Sequence, residues 1–132
     1  MNKLNLRKYG IIVTLIIVAF LFQSCLVSRC QRPQIMGYIY DESTKTPIEN
    51  CKVGESLTNA MGYFNLKEMR YSQFTFVGYE APPLHVNETI YKEGYEKKSI
   101  DLHNPFGGGM RKGAVHKADT IYLKKKVVPV LN

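Results

Sequence analysis

Tryptophan is absent from the 132-residue chain, cysteine occurs three times, and no apolar run is long enough to span a bilayer. The lack of Trp removes the best stacking surface for sugar rings, which weakens a carbohydrate-binding reading that the nine tyrosines otherwise keep open. The longest apolar run, residues 11–22, is broken only by Thr14 and falls short of the ~18 residues of a spanning helix. No HExxH motif occurs, and His85, His103 and His116 have no acid or cysteine at ligand spacing beside them, so no metal or cofactor is expected. A Gly-x-Ser-x-Gly elbow is also missing, and no serine, histidine and acid are grouped as a triad. Asp41 with Glu42, and Glu93 with Glu96, read as turn or surface neighbours and not as two carboxyls facing one cleft. Cations are scattered apart from Lys97–Lys98 and the run 124–126, which excludes a nucleic-acid partner. These absences together predict a protein that is not an enzyme.

What is present begins with an organised N-terminus. Lys3, Arg7 and Lys8 precede the apolar run, and small Ser24 follows it, which is the build of a secretory signal peptide over residues 1–24. Its removal would leave 108 residues, enough for one compact domain, and would lower the formal charge from +7 to +4 because three cations leave with no acid. The stretch Leu21-Phe22-Gln23-Ser24-Cys25 resembles the lipobox of bacterial lipoproteins, in which a small residue precedes a cysteine that is diacylated on sulfur and becomes residue one. The resemblance implies lipidation of Cys25, and with it a membrane as the first partner, held firmly because several acyl chains act together. Cys30 is a poor rival, since Arg29 stands where the peptidase needs a small side chain. Leu26 in place of an aspartate, with no acidic run after it, implies by analogy the outer membrane, facing the periplasm. Residues 25–33, with two arginines, a proline and no periodicity, read as a lipidated tether. The body is then 34–126, and 127–132 form a tail.

Strand signals recur through the body. In the run 34–41, Ile35, Gly37 and Ile39 alternate with Met36, Tyr38 and Tyr40, and Asp41 opens a polar turn. Ile48, Cys51 and Val53 are candidates for the buried side of a second strand. Asn59 to Gly62 form a tight turn in which Gly62 takes positive φ, with Phe64 inward and Leu66 assigned to the opposite phase. Runs at 73–80, 88–102 and 119–123 supply further strands rich in Val, Ile, Tyr, Phe and Thr. The expectation is an all-β sandwich, Ig-like or transthyretin-like, of about seven strands. If the first two strands form a hairpin about Ser43 and Thr44, Cys51 faces Met36 and Cys30 lies roughly 20 Å further on. A disulfide needs Cα atoms within about 7 Å, so the hairpin predicts a buried Cys51 and a free tether Cys30; strands in different sheets would lift that objection.

The order of Ile35-x-Gly37-x-Ile39-x-Asp41, Thr46-Pro47-Ile48, the run 58–66 and Phe76-Val77-Gly78-Tyr79-Glu80 resembles the carboxypeptidase regulatory-like domain, a transthyretin-like (prealbumin-like) sandwich. That family implies a small stand-alone lipoprotein of the Bacteroidetes type. Two loops are candidate binding segments: one holds Pro82 and Pro83 beside Tyr79 and His85, the other three glycines with Arg111, Lys112 and Lys117. Arginine and free backbone amides there would suit an anionic sugar, a lipid headgroup or a partner protein. The Asn87-Glu88-Thr89 sequon is set aside for a bacterial lipoprotein, and Asp119-Thr120-Ile121 resembles an O-glycosylation motif of Bacteroides-type envelope proteins. The expected role is an accessory or binding subunit for another envelope protein, which adds a strand to an exposed sheet edge. The alternative is a carbohydrate-binding module with a glycan ligand.

Overall fold

The segment expected to be a spacer is a strand. The computed structural model describes residues 3–23, 26–75 and 80–127, so Cys25 and Tyr79 lie outside the described residues. Helix α1 (Lys3–Gln23) carries the apolar run, and its side chains from Leu6 to Leu21, such as Ile12, Leu15 and Phe20, are exposed. Among the described residues no helix is long and apolar enough to cross a membrane.

Strand β1 (Leu26–Arg32) pairs antiparallel with β6 (Met69–Phe74), from Leu26 opposite Phe74 to Arg32 opposite Met69, with an irregularity between Cys30 and Arg32. It escapes a hydrophobic-periodicity reading because its inward positions include Arg29 and Arg32, both buried. β2 (Gln34–Asp41) follows after buried Pro33 and is the centre of the next sheet. β5 (Tyr63–Leu66) pairs with it antiparallel, whereas β9 (Val115–Lys117) and β10 (Ile121–Leu123) run parallel to its first and last residues. The third sheet has the order β4-β3-β7-β8, from β3 (Lys52–Val53), β4 (Ser56–Leu57), β7 (Leu84–Tyr91) and β8 (Lys98–Asn104). Inward residues of the two larger sheets meet in one core: Ile35, Ile39, Phe64, Leu66 and Leu123 face Val53, Leu84, Val86, Ile90 and Ile100. The result is an all-β, sandwich-like architecture, as alternating strands with two packed faces require.

The described residues hold ten strands and not about seven; β1, the short β4 that closes a hairpin with β3, and β9 account for the excess. The long run after Glu88 is divided between β7 and β8 by a turn in which Gly94 has φ +80°. The proline-rich loop is shorter than expected, because strand β7 already begins at Leu84 and so takes in His85. Of the run 73–80, Gln73 and Phe74 close β6, and residues 76–79 lie outside the described residues.

The Asn59–Gly62 turn forms as expected. Asn59 Oδ1 accepts the amides of Met61 and Tyr63, each at 3.0 Å, and Gly62 has φ +73°. A Cβ there would lie 2.5 Å from the Ile39 carbonyl oxygen, so only glycine fits. Phe64 is inward as expected, but Leu66 is inward as well and not on the opposite phase, because residues two apart share one face of a strand.

Cys30 and Cys51 are free, and both are buried. The hairpin about Ser43 and Thr44 forms in the expected register, with Tyr40 opposite Pro47, but it ends at Ile48 and never opposes Cys51 to Met36: Lys52 and Val53 join the other sheet, and Met36 pairs with Asn65 and Lys117. Burial pushes the Cys51 thiol up to about 11 and raises that of Cys30 as well. Thiols held protonated react slowly. In the folded protein neither cysteine is expected to react with Ellman's reagent, and both react in 8 M urea without reductant; a thiol count that stays at zero for both after unfolding would reveal a disulfide.

Asp41, the inward end of β2, organises the next turn. Its Oδ1 accepts the Ser43 and Thr44 amides at 2.8 and 3.0 Å, its Oδ2 accepts the Tyr95 hydroxyl at 2.8 Å, and Lys125 Nζ lies 3.4 Å away. The Thr44 amide first, then the Tyr95 hydroxyl, hold its carboxyl well below the usual carboxylate range. A depressed pKa adds stability that is present above the unfolded value of about 3.9 and is lost as pH falls below it. The midpoint of thermal unfolding is expected to be level from pH 7 to about 5 and to decline below about 4, less steeply in Asp41→Asn, which keeps the shape and loses the charge. An identical acid limb in the variant would remove Asp41 from this account.

Candidate binding seam and aromatic strip

At one end the two larger sheets are tied together by main-chain and side-chain hydrogen bonds. There the residues after β10 reach the turn before β8: the Glu96 amide donates to the Lys124 carbonyl at 2.8 Å, Tyr95 bridges to Lys125, and Lys98 Nζ donates to the Tyr122 carbonyl at 2.9 Å. Further along, β8 pairs with β7 on one side, and no strand of the described residues pairs with its other side. Across from this edge stands β9, and between them lies a groove of about 340 Å³. Leu84, Leu102 and Met110 supply its apolar wall, and His103, Val115 and His116 its rims. The groove is a seam between the edge of β8 and strand β9.

The glycine-rich connection forms one end of that seam. Only 105–114 lie outside strands, and the segment is packed where a free fifteen-residue loop was expected. Gly107 and Gly108 are buried in a 3-10 turn, where a Cβ would meet Leu84 and Pro82 at 2.4 and 2.6 Å. At its far end Glu68 Oε2 accepts the Gly113 amide at 2.9 Å, and Arg70 bonds Glu68, Ser28 and the Met110 carbonyl. The Gly113 amide, then Arg70, hold the Glu68 carboxyl below its ordinary range. Arg70 and Glu68 thus fasten the connection to the β1–β6 ribbon.

The sequence-predicted site residues are dispersed around this seam. Arg111 and Lys112 are exposed at the fastened turn, and Lys117 is exposed on β9 opposite Met36. His85 is exposed on β7, its ring 4.2 Å from that of His103 across the strand pair. None of these four lines the groove, and Tyr79 lies outside the described residues. His103 and His116, set aside as too far apart in sequence, both line it, because β8 and β9 bring them to facing rims. Among the described residues, no group of three or more His, Cys, Asp or Glu is placed to hold a metal.

A second feature lies on the outer face of the β2 sheet. Tyr38 and Tyr40 point away from the core; Tyr63 of β5 lies 5.5 Å from Tyr38, and Tyr122 of β10 lies 6.4 Å from Tyr40, centroid to centroid. Lys45 Nζ sits 4.1 Å above the Tyr122 ring. Four tyrosines thus form an exposed or half-exposed strip across three strands, with neighbouring rings tilted by 44° to 58°. The alternation along β2 announced Tyr38 and Tyr40; Tyr63 and Tyr122 needed the strand register. No protein-family model matches the chain, and no curated protein matches it.

Proposed function

We propose that this is a non-enzymatic, lipid-anchored envelope protein, held through Cys25 at the periplasmic side of the outer membrane, that binds another envelope protein by accepting one of its strands in the β8–β9 seam. The observation that carries the reading is the unpaired edge of β8 beside an apolar groove. A sheet edge offers main-chain hydrogen bonds to an extended peptide, and a flanking pocket selects alternate side chains. The sandwich is taken to be of the carboxypeptidase regulatory-like type; support comes from β2 carrying the Ile-x-Gly-x-Ile-x-Asp stretch and from the turn at Gly62 leading into β5. Fold alone gives no function, so the proposal rests on the seam.

Affinity capture of tagged full-length protein from its own envelope, beside Cys25→Ala, tests the anchor and the partner together. Val115 is about half exposed on the groove rim, so Val115→Asp is expected to leave folding within about 0.5 kcal/mol while it weakens partner capture tenfold or more. Undiminished capture by this variant would remove the seam as the site.

The tyrosine strip favours a second reading, a glycan-binding module. Sugar rings stack on flat aromatic faces, and the tilt between these rings offers no continuous platform, whereas tilted tyrosines are common at protein contacts. Glycan-array binding abolished by Tyr38→Ala or Tyr122→Ala would make this reading the better one.

A further inference from the structure

Leu26 and Phe74 face each other at the first register position of the β1–β6 ribbon, and they are 54% and 68% exposed. Directly opposed residues of an antiparallel pair project to the same face, so the ribbon ends in one apolar tip. Two positions further along, on that same face, stand exposed Ser28 and Ser72. The apolar contact is therefore one residue pair deep, a depth that suits the boundary of a bilayer and not its interior.

The position of this tip in the chain identifies what covers it. The apolar helix α1 ends at Gln23, and β1 begins at Leu26, so only two residues separate the most hydrophobic segment of the chain from the tip. Two residues span at most about 7 Å, and Leu26 follows Cys25 by a single Cα step of about 3.8 Å. Whichever hydrophobic group holds residue 25 to a membrane, α1 or acyl chains, Leu26 and Phe74 are brought to that surface with no spacer between.

We infer that the tip of the β1–β6 ribbon, Leu26 with Phe74, inserts into the headgroup boundary of the lipid bilayer, so that the domain docks on the membrane in a fixed orientation. The inference rests on the anchor reading in one respect, the presence of the membrane at residue 25. The Asn59–Gly62 turn, which lies beside Ile39 at the far end of β2, then stands away from the lipid, up to roughly 40 Å along the chain direction of β1 and β2. Met61 at that turn is 64% exposed and serves as the distant reference.

Because the chain has no tryptophan, a single introduced Trp reports alone. Full-length Phe74→Trp and Met61→Trp proteins, purified from their own membranes, would be reconstituted into phosphatidylethanolamine and phosphatidylglycerol vesicles with brominated acyl chains. Phe74→Trp is expected to shift to the blue and to be quenched about twofold or more, with Met61→Trp unchanged. Leu26→Trp should repeat the quenching from the opposite strand, and it stands in if Phe74→Trp misfolds. Protein that floats with the vesicles but shows no more quenching at 74 and 26 than at 61 overturns the docking and leaves the anchor intact. Protein that does not float overturns the anchor, and the docking with it.

Discussion

Arg32→Ala is expected to lower the unfolding free energy by about 3 kcal/mol, because it leaves a partly buried carboxylate without its cation. The Arg32 side chain is 5% exposed, and it joins three parts of the fold to β1. Nη1 donates to Glu88 Oε1 on β7 at 2.5 Å and to Glu55 Oε2 in the β3–β4 turn at 2.9 Å, while Nη2 bonds Glu55 Oε1. Nε and Nη2 also donate to the Lys67 carbonyl, at 3.2 and 2.8 Å, where β5 passes into β6. Glu55 is 58% exposed and can turn to water when the guanidinium is lost, but Glu88 is 17% exposed and cannot do so fully. The cost is thus placed at the low end of the range for a broken buried pair. Adding Glu88→Gln should restore part of the loss, so that the double variant is at least about 1 kcal/mol more stable than additivity requires. Urea unfolding decides this: a single-variant loss under about 1 kcal/mol, or strict additivity, would show that the network does not fasten β1. A chain that starts at Gln34, the boundary expected from sequence, lacks this arginine and should not fold stably.

That boundary shows what sequence patterning can and cannot deliver. β2, the Gly62 turn and β10 were legible because period-two alternation and a glycine before two aromatics are local signals. β1 was not, because its buried positions include Arg29 and Arg32, and the carboxylates that hold the Arg32 guanidinium lie 23 and 56 residues away. No local pattern carries that information, and an arginine-rich stretch without apolar period reads as solvated chain. The candidate site divides in the same way. Segment 103–117 was singled out from its glycines and basic residues, yet the groove is lined by its histidines and apolar side chains, since the register of β8 and β9 decides which side chains face each other. Arg111 and Lys112 drew attention by charge and remain at the surface.

The phase of β5 provides the last test, and Phe64→Ala is expected to cost about 4 kcal/mol, a large share of the roughly 5–15 kcal/mol that holds a domain of this size. Phe64 is 1% exposed and pairs in register with Gly37 of β2. A Cβ on Gly37 would lie 3.1 Å from Phe64 Cε1 and 3.1 Å from Ala118 Cβ, so the ring covers the glycine and occupies space that no backbone movement can readily fill. Phe64→Leu keeps most of the volume and should lose about half as much. Leu66, fully buried on the same face, should also cost about 3 kcal/mol as Leu66→Ala, whereas the opposite-phase assignment places it in solvent and makes the same change nearly neutral. A Leu66→Ala loss below about 0.5 kcal/mol would therefore return β5 to that assignment and take the shared core of the two sheets with it.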